Sequence, residues 1–251
     1  TLDKFRINMQ IRIPLAFYLI ALVLCNPLPD TFKRCRINDT GCLASSVEYA
    51  IAKMGNGLPE LQMPPIDPLS LEDPVVQASD GPVSMYQNYS NTKINHLTKL
   101  TVNQFKINLD PCEKNLETFY PSLFCSGDFF IKGELFGFDI NGGGTANGTS
   151  TNTTIGVTLT CNRNKDNGKE YIKVTDVKVL VNWGTMVLHY GNVFKDDEQR
   201  NRDLDKKVND NSNDILETAK GDFQVLLESL FEDWSNKVFS KYAVNEIFDI
   251  S

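Results

Sequence analysis

The chain has 251 residues, enough for one large domain or two small ones, and carries 25 basic against 32 acidic side chains for a net charge of −7. That acidic balance argues against nucleic acid, heparin or an anionic membrane surface as a partner. With two histidines, and no CxxC or Cys/His cluster of zinc spacing, no metal site is expected.

Residues 1–8 precede Met9, the expected start methionine, and read as upstream sequence. Arg12 is the positive flank of an almost wholly apolar run from Ile13 to Leu24, and Val23-Leu24-Cys25 places smallish residues where a signal peptidase cuts. The run is too short for a comfortable membrane span, and Pro27 and Pro29 follow it, so no stable membrane insertion is expected. The expected organisation is therefore an upstream and signal segment over 1–25 and one domain over 26–251. Loss of Lys4, Arg6, Arg12 and Asp3 takes the net charge to −9. Sequons at Asn38, Asn88, Asn147 and Asn152 fit a secreted glycoprotein and would mark surface positions. Once Cys25 is removed, Cys35, Cys42, Cys112, Cys125 and Cys161 remain; an odd number leaves at least one thiol free or paired outside the chain.

After the leader, Asn38, Asp39 and Thr40 offer capping oxygens, and Leu43, Val47, Ile51 and Met54 recur on one face of a short helix that Gly55 and Gly57 end. Cys35 and Cys42 flank the start of this helix; a bridge there would pin the leading strand to it, the alternative being two unrelated buried thiols. From Leu58 to Leu69, Pro59, Pro64, Pro65 and Pro68 forbid a helix or a central strand and leave an extended segment on the surface or along an edge. Leu123–Ile131, Ile155–Cys161 and Val177–Val181 alternate with their odd positions inward, the pattern of half-buried antiparallel strands. Cys125 and Cys161 share those inward faces and are the first choice for a second bridge. Asn141–Thr154 is nearly all Gly, Asn, Thr, Ala and Ser and reads as a long glycosylated connection. Its glycine triplet is followed by no lysine and no helix, so it is not a phosphate loop and implies no cofactor. Lys195–Lys207 carries both signs of charge and reads as a solvated connection.

The last stretch organises the rest. Leu204, Val208, Ile215, Ala219, Phe223, Leu226, Leu230, Trp234, Val238 and Tyr242 recur at helical spacing, which predicts one helix over 203–242 of about 55 Å. Val225, Leu227 and Phe231 widen its apolar coverage, so it should be wrapped rather than covered on one side. The fold expected is α+β: a long C-terminal helix wrapped by a highly curved antiparallel β-sheet, with a short N-terminal helix.

Several segments resemble the insect juvenile hormone-binding and takeout family. They are Cys35-x6-Cys42, Gly57-Leu58-Pro59-Glu60-Leu61, the run Met63-Pro64-Pro65-Ile66-Asp67-Pro68-Leu69, Phe119–Leu123, Gly127-Asp128-Phe129, Ile131-Lys132-Gly133, Gly168–Val174, Asp176–Val179 and Asn192-Val193-Phe194. The likeness runs in order over 28–248. It departs at His96, where the family usually has glycine, and at Phe138-Asp139-Ile140, where it has Leu-Pro-Ile; with no cysteine after Cys161, a bridge into the terminal helix cannot form. The resemblance implies a tubular lipid-binding protein with a hydrophobic tunnel between helix and sheet.

On that reading, the candidate lining is Val47, Ile51 and Met54 from the first helix, Leu123, Phe129, Ile131, Phe138, Leu188 and Tyr190 from the strands, and Phe223, Leu227, Leu230, Phe231 and Trp234 from the terminal helix. Met54 and Met63 can adapt to ligand shape, and Tyr190 or Trp234 would be the polar handle for an ester, epoxide or quinone oxygen. Without a Gly-x-Ser-x-Gly elbow, and with His96 and His189 outside any nucleophile pattern, no enzymatic activity is expected. The expected function is a secreted, monomeric carrier of a terpenoid or fatty ligand in haemolymph or another extracellular fluid. The alternatives are a takeout-like chemosensory or feeding-related (circadian) lipid binder, or a filled-core glycoprotein that acts through a protein partner.

Overall fold

The computed structural model describes residues 28–71, 75–78, 83–195 and 197–250; the expected signal segment lies outside them. The chain divides after Asp30, and the account below concerns Thr31–Ser251.

The spine is a hairpin of two very long strands, β6 (Cys112–Leu135) and β7 (Phe138–Asp166), paired from Leu135 with Phe138 at the turn to Glu113 with Thr160. Phe136 and Gly137, both at positive φ, make the two-residue turn that suits the strands' twist. Other strands then attach by halves. On the outer side of β6 lie β5 (Thr101–Leu109) at one end and β4 (Val83–Asn95) at the other; β4 carries β2 (Leu69–Ser70) and β3 (Val75–Ala78). On the outer side of β7 lie β8 (Lys169–Asn182), joined through the Asn167-Gly168 turn, and β9 (Thr185–Gly191). The result is an open antiparallel sheet of eight strands.

Midway along the spine the buried face changes parity. Lys114, Thr118 and Tyr120 are buried on even positions of β6, then Leu123, Phe129 and Ile131 on odd ones. In β7, Ser150 gives way to Thr153, Ile155, Val157 and Leu159. The switch occurs at one rung: pairing skips Pro121, which has no N–H to give, and the facing Asn152, which sits at φ 56°. Both strands slip together, so hydrogen bonding continues past the break. The segment 141–154, expected to be a long hairpin connection, instead lies wholly within β7. Its glycines serve close backbone approach: a Cβ on Gly144 would run into the Gly191 carbonyl oxygen of β9.

Helix α1 (Thr40–Lys53) is capped by Asp39, whose carboxylate accepts from Cys42 N. The short strand β1 (Cys35–Arg36) leads into it and pairs with β10 (Phe248–Asp249), bringing the first and last strands together. The proline-rich segment after α1 is not the extended, helix-free run expected. Pro59, at the first position of a helical turn where its missing N–H costs nothing, opens a 3-10 turn over Pro59–Leu61, and Gln62 follows at φ 54°. Leu58, Leu61, Met63, Ile66 and Leu69 of this segment are all buried. Asp67 pins it to the turn at His96–Thr98, accepting from His96 N at 2.8 Å and Thr98 N at 3.1 Å. Burial opposes ionisation of that carboxyl, but the bonds from Thr98 and His96 outweigh it and hold its pKa below the usual value. His96 adopts φ 71°, the left-handed conformation that glycine takes most readily.

The terminal region is two helices, not the single one expected. Helix α2 (Glu198–Asp210), capped by Asp197, converts the supposed solvated connection into ordered structure that buries Leu204 and Val208. The helical path breaks at Asn211, and α3 (Ser212–Phe239) continues for 28 residues. The break falls in Asn209-Asp210-Asn211-Ser212-Asn213-Asp214, residues whose short polar side chains compete for backbone groups; Asn211 Nδ2 donates to Lys207 O. Of the residues that widened the apolar face, Leu227 is buried and Phe231 half-buried, whereas Val225 faces solvent. A short α4 (Val244–Ile247) closes the chain onto β10. Among the described residues no helix is long and apolar enough to cross a membrane.

Helix side chains hold the sheet's open edges. Asn236 takes both backbone groups of Val174 in β8, and Gln224 and Glu228 take Val179 O and N. In α2, Asn209 bonds both backbone groups of Leu188, and Asp205 accepts from Tyr190 N. On the opposite edge, Glu48 of α1 accepts from Val102 N of β5. A sheet edge paired in this way offers no template for another chain. The Cys35–Cys42 bridge ties β1 to α1. The second bridge joins Cys112 to Cys161, not Cys125 to Cys161. The β6–β7 register explains this: Glu113 faces Thr160, which sets Cys112 beside Cys161, whereas Cys125 faces Gly148 and stays free.

Candidate functional site

Two cavities lie between the sheet and helices α1 and α3, and a third, lined by strands alone, shares a wall with one of them. The central one, about 60 Å³, is bounded by Leu123, Tyr120 and Cys125 of β6, Ser150 and Ile155 of β7, Trp183, Met186 of β9, Ile51 of α1 and Phe223, Leu227, Leu230, Phe231 and Trp234 of α3. Ile66, Leu69, Ile94 and Leu97 complete it. A second, about 190 Å³, opens under α1 and is lined by Val47, Ile51 and Met54 together with Met63, Leu116, Phe231, Trp234 and Phe239. A third, about 170 Å³, lies toward β9 and includes Tyr89, Thr92, Cys125, Met186, Leu188 and Tyr190. Ile51, Phe231 and Trp234 face both the central and α1 cavities; Cys125 and Met186 face both the central and β9 cavities. The three cavities adjoin, separated by these shared side chains.

The structure therefore gathers eleven of the fourteen candidate residues around these cavities: Val47, Ile51, Met54, Leu123, Leu188, Tyr190, Phe223, Leu227, Leu230, Phe231 and Trp234. Phe129, Ile131 and Phe138 are placed elsewhere. They belong to a filled cluster with Met85, Leu135, Ile140, Leu204 and Val208, against which α2 packs. The alternation over Leu123–Ile131 put Phe129 and Ile131 on the buried face, but Leu204 and Val208 of α2 pack in front of them. Tyr190 joins that cluster too, edge-on to Phe129 at 5.1 Å, and its hydroxyl meets that of Tyr89 at 3.2 Å. Sequence reasoning missed Tyr120, Ile155, Trp183, Met186 and the Ile66–Leu69 pair. The buried residues of the proline-rich segment were legible only as apolar side chains interleaved with prolines.

The lining is predominantly apolar, with Lys33 the one charged residue, at the α1 cavity. No Asp, Glu, Lys or Arg lines the central or β9 cavity. Burial pushes the Tyr120 phenol up to about 12 against the opposing pull of a Thr118 hydrogen bond, and pushes the Cys125 thiol up to about 11. A thiol held protonated in this way is a poor nucleophile. Ser150 Oγ is engaged with Thr153 Oγ1 at 2.6 Å. Both histidines are exposed and away from these cavities: His189 pairs with Asp205 on the outside of β9. Among the described residues no cluster of side chains fits a metal ion. What these walls can do is take apolar surface out of water.

Beside Phe239 of the α1 cavity wall, the buried Lys114 places Nζ 4.5 Å over the Phe239 ring and 3.2 Å from Cys161 Sγ. Burial pulls its pKa down to about 8. The four sequon asparagines, Asn38, Asn88, Asn147 and Asn152, are all exposed.

Comparison with known proteins agrees with this architecture. The crystal structure of Epiphyas postvittana Takeout 1 superposes with a TM-score of 0.77 at 17% identity, over 86% of this chain and 99% of that one. Lipopolysaccharide binding protein aligns at a TM-score of 0.37 and 15% identity, over 77% of this chain and 40% of that one, too weakly to carry an argument. No curated protein matches the sequence. The model of the haemolymph juvenile hormone binding protein family matches residues 15–249, and the chain belongs to that family.

Proposed function

We propose that this protein is a secreted, non-enzymatic carrier, monomeric in solution, that holds one small hydrophobic ligand along its row of cavities. The observation that carries the reading is that three apolar cavities share their walls. Separately each falls short of the about 300–1,000 Å³ of small-molecule sites; joined, they offer on the order of 400 Å³. A sesquiterpenoid of the juvenile hormone type, or another lipid of similar length, would thread them as Phe231, Trp234 and Met186 rotate aside. Burying on the order of 300 Å² of apolar ligand surface contributes about 7 kcal/mol, from which the cost of immobilising the ligand is subtracted. Two disulfides and exposed sequons support an extracellular setting. Helix α1 is the proposed gate: it covers one cavity, is stapled by Cys35–Cys42, and ends at Gly55 and Gly57.

The test is uptake of the environment-sensitive dye N-phenyl-1-naphthylamine, followed by its displacement with juvenile hormone and with fatty esters. Saturable uptake at one site supports the carrier, and displacement by juvenile hormone at low concentration assigns the hormone. Displacement by fatty esters alone favours a takeout-like lipid binder. A protein that takes up no dye would be a filled core acting through its surface.

A further inference from the structure

Among the residues that line the central cavity, one nitrogen, Trp183 Nε1, is both shielded from solvent and without a hydrogen-bond partner. It stands in the two-residue link between β8 and β9, and the link cannot readily move: a Cβ on the adjoining Gly184 would run into the Thr151 and Asn152 carbonyl oxygens at the rung where the sheet changes parity. Phe223 of α3 packs against the indole with ring centroids 5.0 Å apart. Of the wall's other polar groups, Ser150 is engaged with Thr153 and Tyr120 with Thr118, whereas the second indole N–H, of Trp234, makes no hydrogen bond to the described residues but is not shielded from solvent. A buried donor left unmade costs free energy in the empty protein, and that cost is recovered only by an acceptor brought in from outside.

We propose that Trp183 selects the ligand by donating a hydrogen bond from Nε1 to a neutral carbonyl or ester oxygen of the bound lipid, an inference that rests on the carrier reading above. The direction of the bond follows from chemistry: an indole N–H only donates, so the ligand must accept. Neutrality follows from the wall of the central cavity around Trp183, which offers no cation to a carboxylate placed there; the one charged lining residue, Lys33, belongs to the α1 cavity. A pure hydrocarbon leaves the indole orphaned; a free fatty acid arrives with an unpaired charge; an ester, ketone or quinone satisfies the site. Thr92 Oγ1, the unsatisfied atom of the β9 cavity, can donate or accept and so does not discriminate in this way.

The test uses the protein of residues 26–251 with methyl oleate, 1-octadecene and oleate as probes, measured by dye displacement and by the indole N–H signals of ¹⁵N-labelled protein. Only two tryptophans are present, so Trp183→Phe assigns both signals. The expected result is that methyl oleate binds best and moves the Trp183 signal downfield while 1-octadecene leaves it in place. Trp183→Phe is then expected to weaken methyl oleate by roughly tenfold and leave 1-octadecene unchanged. An unmoved Trp183 signal in the wild-type ester complex overturns the proposal, whatever the variant does, and assigns the indole's partner to a trapped water. Equal weakening of all three lipids in Trp183→Phe also overturns it and makes Trp183 a packing residue. Either result leaves the carrier reading standing, whereas failure of all three lipids and the dye to bind the wild-type protein removes both.

Discussion

Asn236 and Val174 are joined twice: the Asn236 amide accepts from Val174 N at 2.9 Å and donates to Val174 O at 3.2 Å. A single helix side chain thereby completes the backbone pairing of an edge strand, as a neighbouring strand would. Asn209 does the same for Leu188 from the preceding helix. The two helices are fastened to the sheet along a polar seam, and the cavities lie on the apolar side of it.

Replacing Asn236 with Leu keeps the volume but strands both groups of Val174. The expected loss is about 2 kcal/mol, the cost of a buried donor and acceptor left unmade. Urea denaturation measures it; an unchanged midpoint would mean that water replaces the amide without penalty.

The apolar periodicity of this region was legible, and the half-buried alternation of Ile155–Cys161 and Val177–Val181 holds residue for residue, because each pattern reports one burial direction. The seam was not legible. Asn201, Asp205 and Asn209 recur every fourth position within a charge run, and in a sequence such residues look the same whether water or a strand edge takes their hydrogen bonds. The same gap hid the role of 141–154, since glycine and threonine are turn formers by propensity and become strand residues only when long partners lie on both sides. Trp183 escaped notice because its importance comes from a missing partner, which only three dimensions reveal.

Lys114 sets a pH dependence. Its folded pKa of about 8 lies below the ordinary 10.5, so from pH 8 to 10.5 the unfolded chain binds more protons and stability rises with pH. Below pH 8 the lysine is charged in both states and the penalty is fully present. Lys114→Met is therefore expected to raise stability at pH 7 by about 2–3 kcal/mol, with the gain vanishing above pH 10.5. Chemical denaturation of both proteins at pH 7, 9 and 10.5 gives the difference; a gain independent of pH would contradict the assignment.

Cysteine accounting separates the two bridge patterns. With Cys112 bonded to Cys161, the protein of residues 26–251 has one free thiol, Cys125, and burial raises its pKa to about 11. Ellman's reagent at neutral pH should find almost no thiol in the native protein and one after denaturation, which peptide mapping places at Cys125. Replacing Cys112 and Cys161 together with alanine should cost about 2–4 kcal/mol, since the bridge closes a loop across 49 residues.

Phe231 lines both the central and the α1 cavity. Phe231→Ala should destabilise the empty protein by about 3 kcal/mol and merge the two spaces. Longer esters should then bind better relative to shorter ones, as read from dye displacement across a chain-length series. An unchanged length preference would place the ligand elsewhere.

Native mass spectrometry of the secreted, deglycosylated protein, followed by solvent extraction of whatever it carries, tests the central claim most directly. The account expects one apolar, oxygen-bearing molecule per chain, lost on extraction and regained on exposure to lipid. A protein that is empty as secreted and stays empty with excess ester and dye would contradict it.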